Sequence, residues 1–238
     1  MSPPRPWTVL PHAPLEKLEE NLWAVSGTLP HGRLNRRMAV VRLGDGRLVF
    51  HNAVPLRPPA MAVLEAWGVP AFLVAPNRFH RLDIHAWKVR YPDLRLLCPA
   101  PARQYVARVA GVDGALSALP VDPALEALPL EGSRSGEAAL LVRSGPDRRA
   151  TLVFGDAVMN IPHRPGREGL LLRLLGSSGG PRVTLITRLF TVSDRRALAG
   201  HLERLAGTPH LVRLLPSHGD DVTADAAGAL RGVARALR

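Results

Sequence analysis

The chain has 238 residues, of which 46% are hydrophobic and 21% charged, and a formal net charge of +11. That composition supplies a full apolar core and excludes global disorder and collagen-like or mucin-like repeats. The longest apolar runs, such as Ala71 to Ala75 and Thr151 to Phe154, are far short of the ~20 residues a membrane span requires, so no membrane-spanning segment is expected.

The first 30 residues carry prolines and the acids Glu16, Glu19 and Glu20 where a secretory leader would have an apolar run, and a cytoplasmic protein is the expectation. A single cysteine, Cys98, excludes an intramolecular disulfide and a multi-cysteine zinc module. The positive charge invites a nucleic-acid partner, but its distribution argues against one. Only Lys17 and Lys88 are lysines, and the arginines come as isolated pairs such as Arg36 with Arg37 and Arg148 with Arg149. There is no long basic run and no interleaved aromatic platform, so the charge reads as a dispersed, solvated surface, and a small molecule is the expected partner.

After a proline-rich lead, Leu22 to Ser26 and Met38 to Leu43 read as strands, and Gly44-Asp45-Gly46 turns into a third, Arg47 to His51. Pro58 and Pro59 open a helix through Met61, Leu64 and Trp67 that Gly68 closes. Ala71 to Ala75 and Leu94 to Cys98 are short apolar runs of the kind found in strands buried on both faces, with a helix from Arg81 to Arg90 between them and another from Ala102 to Val109. Ala115 to Leu130 holds proline-broken strand candidates, and Ala138 to Val142 with Thr151 to Phe154 flank a turn at Ser144 to Asp147. Ser193 is read as the cap of a helix bearing Leu198, Leu202 and Leu205. Strand Leu211 to Leu215 then precedes a last helix begun by Thr223 and Asp225 and carrying Ala226, Leu230, Val233 and Leu237 at helical spacing. Two mixed sheets packed together with helices outside is the architecture this order suggests.

Two strand ends carry the best chemical signals. Thr151 to Phe154 runs straight into Gly155-Asp156, and Leu211 to Leu215 leads through Pro216 to Ser217-His218-Gly219. A carboxylate and an imidazole at such ends are donors for a divalent ion. The ordinary alternatives are a turn residue bonding its own backbone for Asp156 and a capping group for His218.

In this arrangement the sequence resembles the metallo-β-lactamase-like superfamily of metallohydrolases, over about Leu15 to Leu237. The matching pieces are the early hairpins, a strand ending in the loop Pro76 to Asp83, the strand with Gly155-Asp156, and Ser217-His218-Gly219 before the final helix. The resemblance implies an α+β fold, a four-layer αββα sandwich of two mixed sheets flanked by helices, with residues 1–14 an N-terminal extension and 15–238 a single domain. It further implies metal-ligand roles for Asp156 and His218.

The chain departs from the family in the segment PNRFHRLDIHAWKVRYPDLRLL, Pro76 to Leu97, which replaces the usual His-x-His-x-Asp-His. Counted from strand Ala71 to Ala75, the motif falls on Asn77, Phe79, Arg81 and Leu82, none a usual ligand; with a loop about three residues longer, His80 and His85 take the first and last places and Asp83 lies nearby. No histidine occurs in Leu130 to Gly136, where the family has another. The surviving set, His80, Asp156 and His218, with Asp83 and His85 as weaker candidates, suits one ion rather than two. Zinc is the first expectation, and iron or manganese are alternatives. His51, Asn52, Asn77, His163 and Arg164 are candidates for lining the cleft. The function implied is metal-dependent hydrolysis by an activated water, with Asp156 and His218 catalytic, and its alternative is a metal-free, non-catalytic protein that binds a ligand or partner.

Overall fold

Apolar side chains alternate along the central strands with a period of two, and in a computed structural model of the chain both resulting faces are buried. The structure describes residues 5–30, 34–134 and 136–238; residues 1–4, His31, Gly32, Arg33 and Ser135 lie outside them, and with them part of the expected extension and of the loop read as lacking a histidine. The strands are β1 (Glu16–Glu19), β2 (Leu22–Thr28), β3 (Asn35–Arg42), β4 (Arg47–His51), β5 (Val69–Val74), β6 (Arg95–Leu97), β7 (Leu125–Pro129), β8 (Ala138–Ser144), β9 (Arg149–Phe154) and β10 (Leu211–Pro216). The helices are α1 (Pro58–Trp67), α2 (Ile84–Arg90), α3 (Arg103–Val106), α4 (Gly166–Leu174), α5 (Leu185–Phe190), α6 (Arg195–Leu205) and α7 (Ala226–Arg235).

One sheet has the order β1-β2-β3-β4-β5-β6, antiparallel as far as β4 and parallel from β4 to β6; the other has the order β10-β9-β8-β7, with only β10 and β9 parallel. Both sheets are therefore mixed. Leu22, Ala24, Ala39, Val41, Val49, Phe72 and Val74 face Leu140, Val142, Val153 and Leu215 in the layer between them. Their neighbours Trp23, Val25, Met38, Val40, Phe50 and Leu73 face outward onto Met61 and Leu64 of α1 and Trp87 of α2. On the far side, Ala139, Leu141, Leu152, Phe154 and Leu214 pack against Leu198 and Leu202 of α6 and Leu230 and Val233 of α7. Three apolar layers between four of structure make the αββα sandwich.

Several boundaries differ from those expected. The second helix starts at Ile84 rather than Arg81, because the Asn77 side chain ties down the backbone at Phe79 and His80 and Arg81 reaches across to the Tyr105 carbonyl. The helix expected over Ala102 to Val109 is a 3-10 turn, Ala100–Ala102, followed by the four residues of α3. The cap of α6 is Asp194, whose carboxylate accepts from the Arg196 and Ala197 N–H groups, while the Ser193 hydroxyl donates to the Gly132 carbonyl. Strand β1 and helices α4 and α5 had no counterpart in the sequence reading. The leucines of α4 do not gather into one buried stripe, and Leu170, Leu171 and Leu174 are exposed. Residues of the expected extension lie along the six-stranded sheet: His12 bridges Gly27, and Trp7 tilts against Trp87 at 5.4 Å between ring centroids. No helix among the described residues is long and apolar enough to cross a membrane.

Candidate metal centre

The parallel pair β9 and β10 sets the site. Phe154 pairs with Pro216, and both Ser217 N–H and its hydroxyl donate to the Phe154 carbonyl, so Asp156 and His218 leave neighbouring strands at the same edge, two residues beyond the last paired positions. Gly219 holds this arrangement because its φ is +96° and a Cβ there would sit 2.0 Å from the Asn160 carbonyl oxygen, so a side chain would force the two loops apart. From the other sheet, β5 ends in a loop whose Asn77 Oδ1 accepts from the Phe79 and His80 N–H groups, and this turn delivers the His80 ring.

The three side chains come together. His80 Nε2 lies 3.0 Å and His218 Nε2 3.3 Å from Asp156 Oδ1, and one donor atom from each residue falls within 4.8 Å of the other two. His218 Nδ1 is 2.6 Å from the Asn35 carbonyl oxygen, to which it donates. Asn77 Nδ2 donates at 2.9 Å to both Asp156 Oδ2 and Glu137 Oε2, and the Ala157 N–H donates to Glu137 Oε1. A Cβ on Gly155 would stand 2.8 Å from that Glu137 oxygen, which is why the residue before Asp156 is glycine.

Burial by itself would raise the Asp156 carboxyl, but His80 and His218 beside it hold it well below the ordinary range. Burial likewise opposes the charge on His218, and its hydrogen bonds to Asp156 and the Asn35 carbonyl outweigh that and raise its pKa. Glu137 moves the other way: buried beside a carboxylate, it is pushed up to about 8 and so holds its proton at neutral pH. His51 is pulled down to about 3, first by complete burial and then by the charge of His80.

A cavity of about 160 Å³ opens onto the cluster, lined by Arg36, Asn52, Phe79, His80, Asp156 and His218 among others. Asn52 is thus at the cleft. Asn77 is not, being fully buried behind Asp156, and His51 lies at the end of β4 with neither ring nitrogen bonded. Asp83 is no part of the donor cluster: its carboxylate is taken by the buried guanidinium of Arg36. His85 is the second residue of α2 and lines a separate pocket with Pro6, Trp7 and Arg90. His163 bonds Ser178 Oγ in an exposed loop, and neither it nor Arg164 lines the cavity. Glu137 and Arg36 were missed by the sequence reading. The only trace of Glu137 is Gly155, whose lack of a side chain makes room for it.

Two solved structures superpose over almost the whole chain. The metallo-β-lactamase FIM-1 from Pseudomonas aeruginosa, in its mono-zinc form, aligns with 96% of each chain at 11% identity and a TM-score of 0.62. The metallo-β-lactamase DIM-1, exposed to ceftazidime, aligns with 97% of this chain and 100% of its own at 13% identity and a TM-score of 0.63. The chain has the metallo-β-lactamase fold. No family model and no curated protein sequence matches it. At such low identity the likeness is one of fold, and within that fold the strand-end loops of both sheets meet where His80, Asp156 and His218 converge.

The donor set fits a metal ion. Bonds of ~2.0 to 2.2 Å to tetrahedral ligands put neighbouring ligand atoms about 3.4 Å apart, and the two measured separations from Asp156, 3.0 and 3.3 Å, are of that size. Three protein donors leave one position open, the pattern of catalytic rather than structural zinc sites.

Proposed function

We propose that this protein is a metal-dependent hydrolase-like protein in which His80, Asp156 and His218 hold one divalent ion, zinc in the first instance. The observation that carries this reading is the convergence of three donor atoms within 4.8 Å at the shared edge of the two sheets. The fold of the zinc-containing FIM-1 structure supports it, as does that structure's single-zinc form, since three donors suit one ion. Iron and manganese are the alternatives that two imidazoles and a carboxylate accept.

His80, Asp156 and His218 would hold the ion, which when bound would supply Lewis acidity towards a carbonyl or phosphoryl oxygen and would lower the pKa of water to about 7. The protein's own groups do the rest. Asn35 and Asn77 fix the orientation of His218 and Asp156, as hydrogen-bonded partners of metal ligands generally do. Asp156, held low by the two imidazoles beside it, supplies the negative charge, and burial beside that carboxylate pushes Glu137 the other way, up to about 8. His218 must present an unprotonated Nε2 to bind an ion, so binding there would weaken as pH falls.

This reading takes a small molecule as the substrate, at the cavity beside the cluster, and does not include specific nucleic-acid binding. The second reading is a metal-free protein that binds a ligand or partner; in its favour, His80 and His218 each bond Asp156 directly, so the triad is satisfied without an ion. Hydrolysis of an activated ester or phosphodiester that disappears with a chelator and returns with zinc supports the first. Zinc-loaded protein inert towards both supports the second.

A further inference from the structure

Arg36 is the second residue of β3, only 3% exposed, and it lines the cavity beside His80, Asp156 and His218. Its Nη1 donates to Asp83, while Nε and Nη2 have no hydrogen-bond partner among the described residues. A buried guanidinium with unmet donors is costly, because its N–H groups have given up water and gained no partner in exchange. The choice of atoms matters. Nε and Nη2 form one edge of the planar guanidinium, with two parallel N–H bonds, the fork that engages two oxygens of a carboxylate or phosphate. Asp83 holds the opposite corner and turns that edge away from itself. Unmet polar atoms gather here: of the twelve buried side-chain N and O atoms without a partner among the described residues, five belong to Arg36, Asp83 and His51.

We propose that Arg36 is a specificity-determining residue that takes an oxoanion group of the substrate, a carboxylate or a phosphate, through its Nε–Nη2 edge. The substrate assignment rests on the metal-hydrolase reading, whereas the anion site itself does not. A cavity of about 160 Å³ has room for an anionic head group of a few heavy atoms, about five water volumes at ~30 Å³ each. Arg36 and His218 line the same cavity, so an anion on Arg36 would stand at the edge of the donor cluster. Charge favours this orientation: with Asp83 offsetting Arg36 and Asp156 offsetting half of a divalent ion, the loaded pocket carries a net positive charge.

The test follows the Arg36 Nε–H resonance of the full chain by NMR while inorganic phosphate or acetate is added, first without metal and then with zinc. Saturable movement of that resonance with either anion is expected, with affinity at least tenfold weaker in Arg36→Lys, which keeps the charge but loses the fork. Thermal unfolding of Arg36→Lys shows whether it is folded; Asp83→Asn, which leaves Arg36 in place, is expected to bind the same anion at least as tightly. An Arg36 resonance that stays still with both anions, or equal anion affinity in folded Arg36→Lys, overturns the proposal and leaves a structural ion pair. His218→Ala separates the two claims. Loss of zinc with the anion response intact leaves both standing, whereas an anion response in a wild-type protein that never binds zinc sinks the metal reading alone.

Discussion

His218 Nδ1 lies 2.6 Å from the carbonyl oxygen of Asn35, and that one contact decides which face of the imidazole the site receives. A carbonyl can only accept, so Nδ1 carries the proton and Nε2 is the nitrogen turned towards Asp156, 3.3 Å away. Asn35 begins β3 in one sheet while His218 follows β10 in the other. The candidate centre is therefore assembled by the packing of the two sheets, with His80 and Asn35 contributed from one side and Asp156 and His218 from the other.

Asn77 is the clearest positioning residue. Its amide separates two buried carboxyl groups by donating to both Asp156 and Glu137. Asn77→Ala should lower unfolding free energy by about 1 to 3 kcal/mol and weaken zinc binding by about 10 to 100-fold, read by denaturant titration and calorimetry. Unchanged zinc affinity in the folded variant would mean that Asp156 needs no such support.

Gly155→Ala tests how rigid that network is. The added methyl group would stand 2.8 Å from Glu137 Oε1 and 3.2 Å from Asn77 Nδ2, and neither neighbour is an exposed, flexible chain end. Overpacking of this kind costs roughly 1 to 3 kcal/mol. A variant as stable as wild type would show that Glu137 can move aside freely.

Acid stability should carry the signature of His51. Its pKa is about 3 in the folded protein against an ordinary 6.5, so the unfolded chain binds the proton first as pH falls. Stability from this group is present above pH 6.5 and is lost between there and about 3, with a slope of at most about 1.4 kcal/mol per pH unit. In metal-free protein, His51→Gln should flatten that part of the profile; parallel wild-type and variant profiles would refute the assignment.

Much of the fold was legible because its cause is local and repeated. Apolar runs such as Ala71 to Ala75 bury both faces of a strand, and Leu198, Leu202 and Leu205 line one face of a helix. Gly155-Asp156 and Ser217-His218-Gly219 stood out because each follows directly on such a run. Asp83 and His85 enter the candidate set through a motif register with a longer loop after β5, whereas in the structure Asp83 pairs with Arg36 and His85 lines another pocket, which no local pattern of residues reveals. Glu137 and Arg36 left almost no local signal, since the importance of each comes from a partner 19 to 47 positions away, Asp156 or Asp83. Helices α4 and α5 lack the buried stripe that makes a helix readable.

Two neighbouring side chains hold the start of α6, Asp194 as its cap and Ser193 through the Gly132 carbonyl. Asp194→Ala removes the acceptor of two backbone N–H groups and should cost about 1 kcal/mol, whereas Ser193→Ala leaves those bonds in place and should cost less. Equal losses in urea unfolding would show that the Ser193 bond to Gly132 matters as much as the cap.

The central claim is that His80, Asp156 and His218 hold one ion together, and elemental analysis of protein purified without an affinity tag, followed by zinc titration, tests it most directly. One ion per chain is expected in wild type, with metal content falling sharply in His80→Ala and in His218→Ala while both remain folded by circular dichroism. Wild-type protein that retains no metal and takes up no zinc, or a folded His218→Ala variant with undiminished metal content, would contradict it.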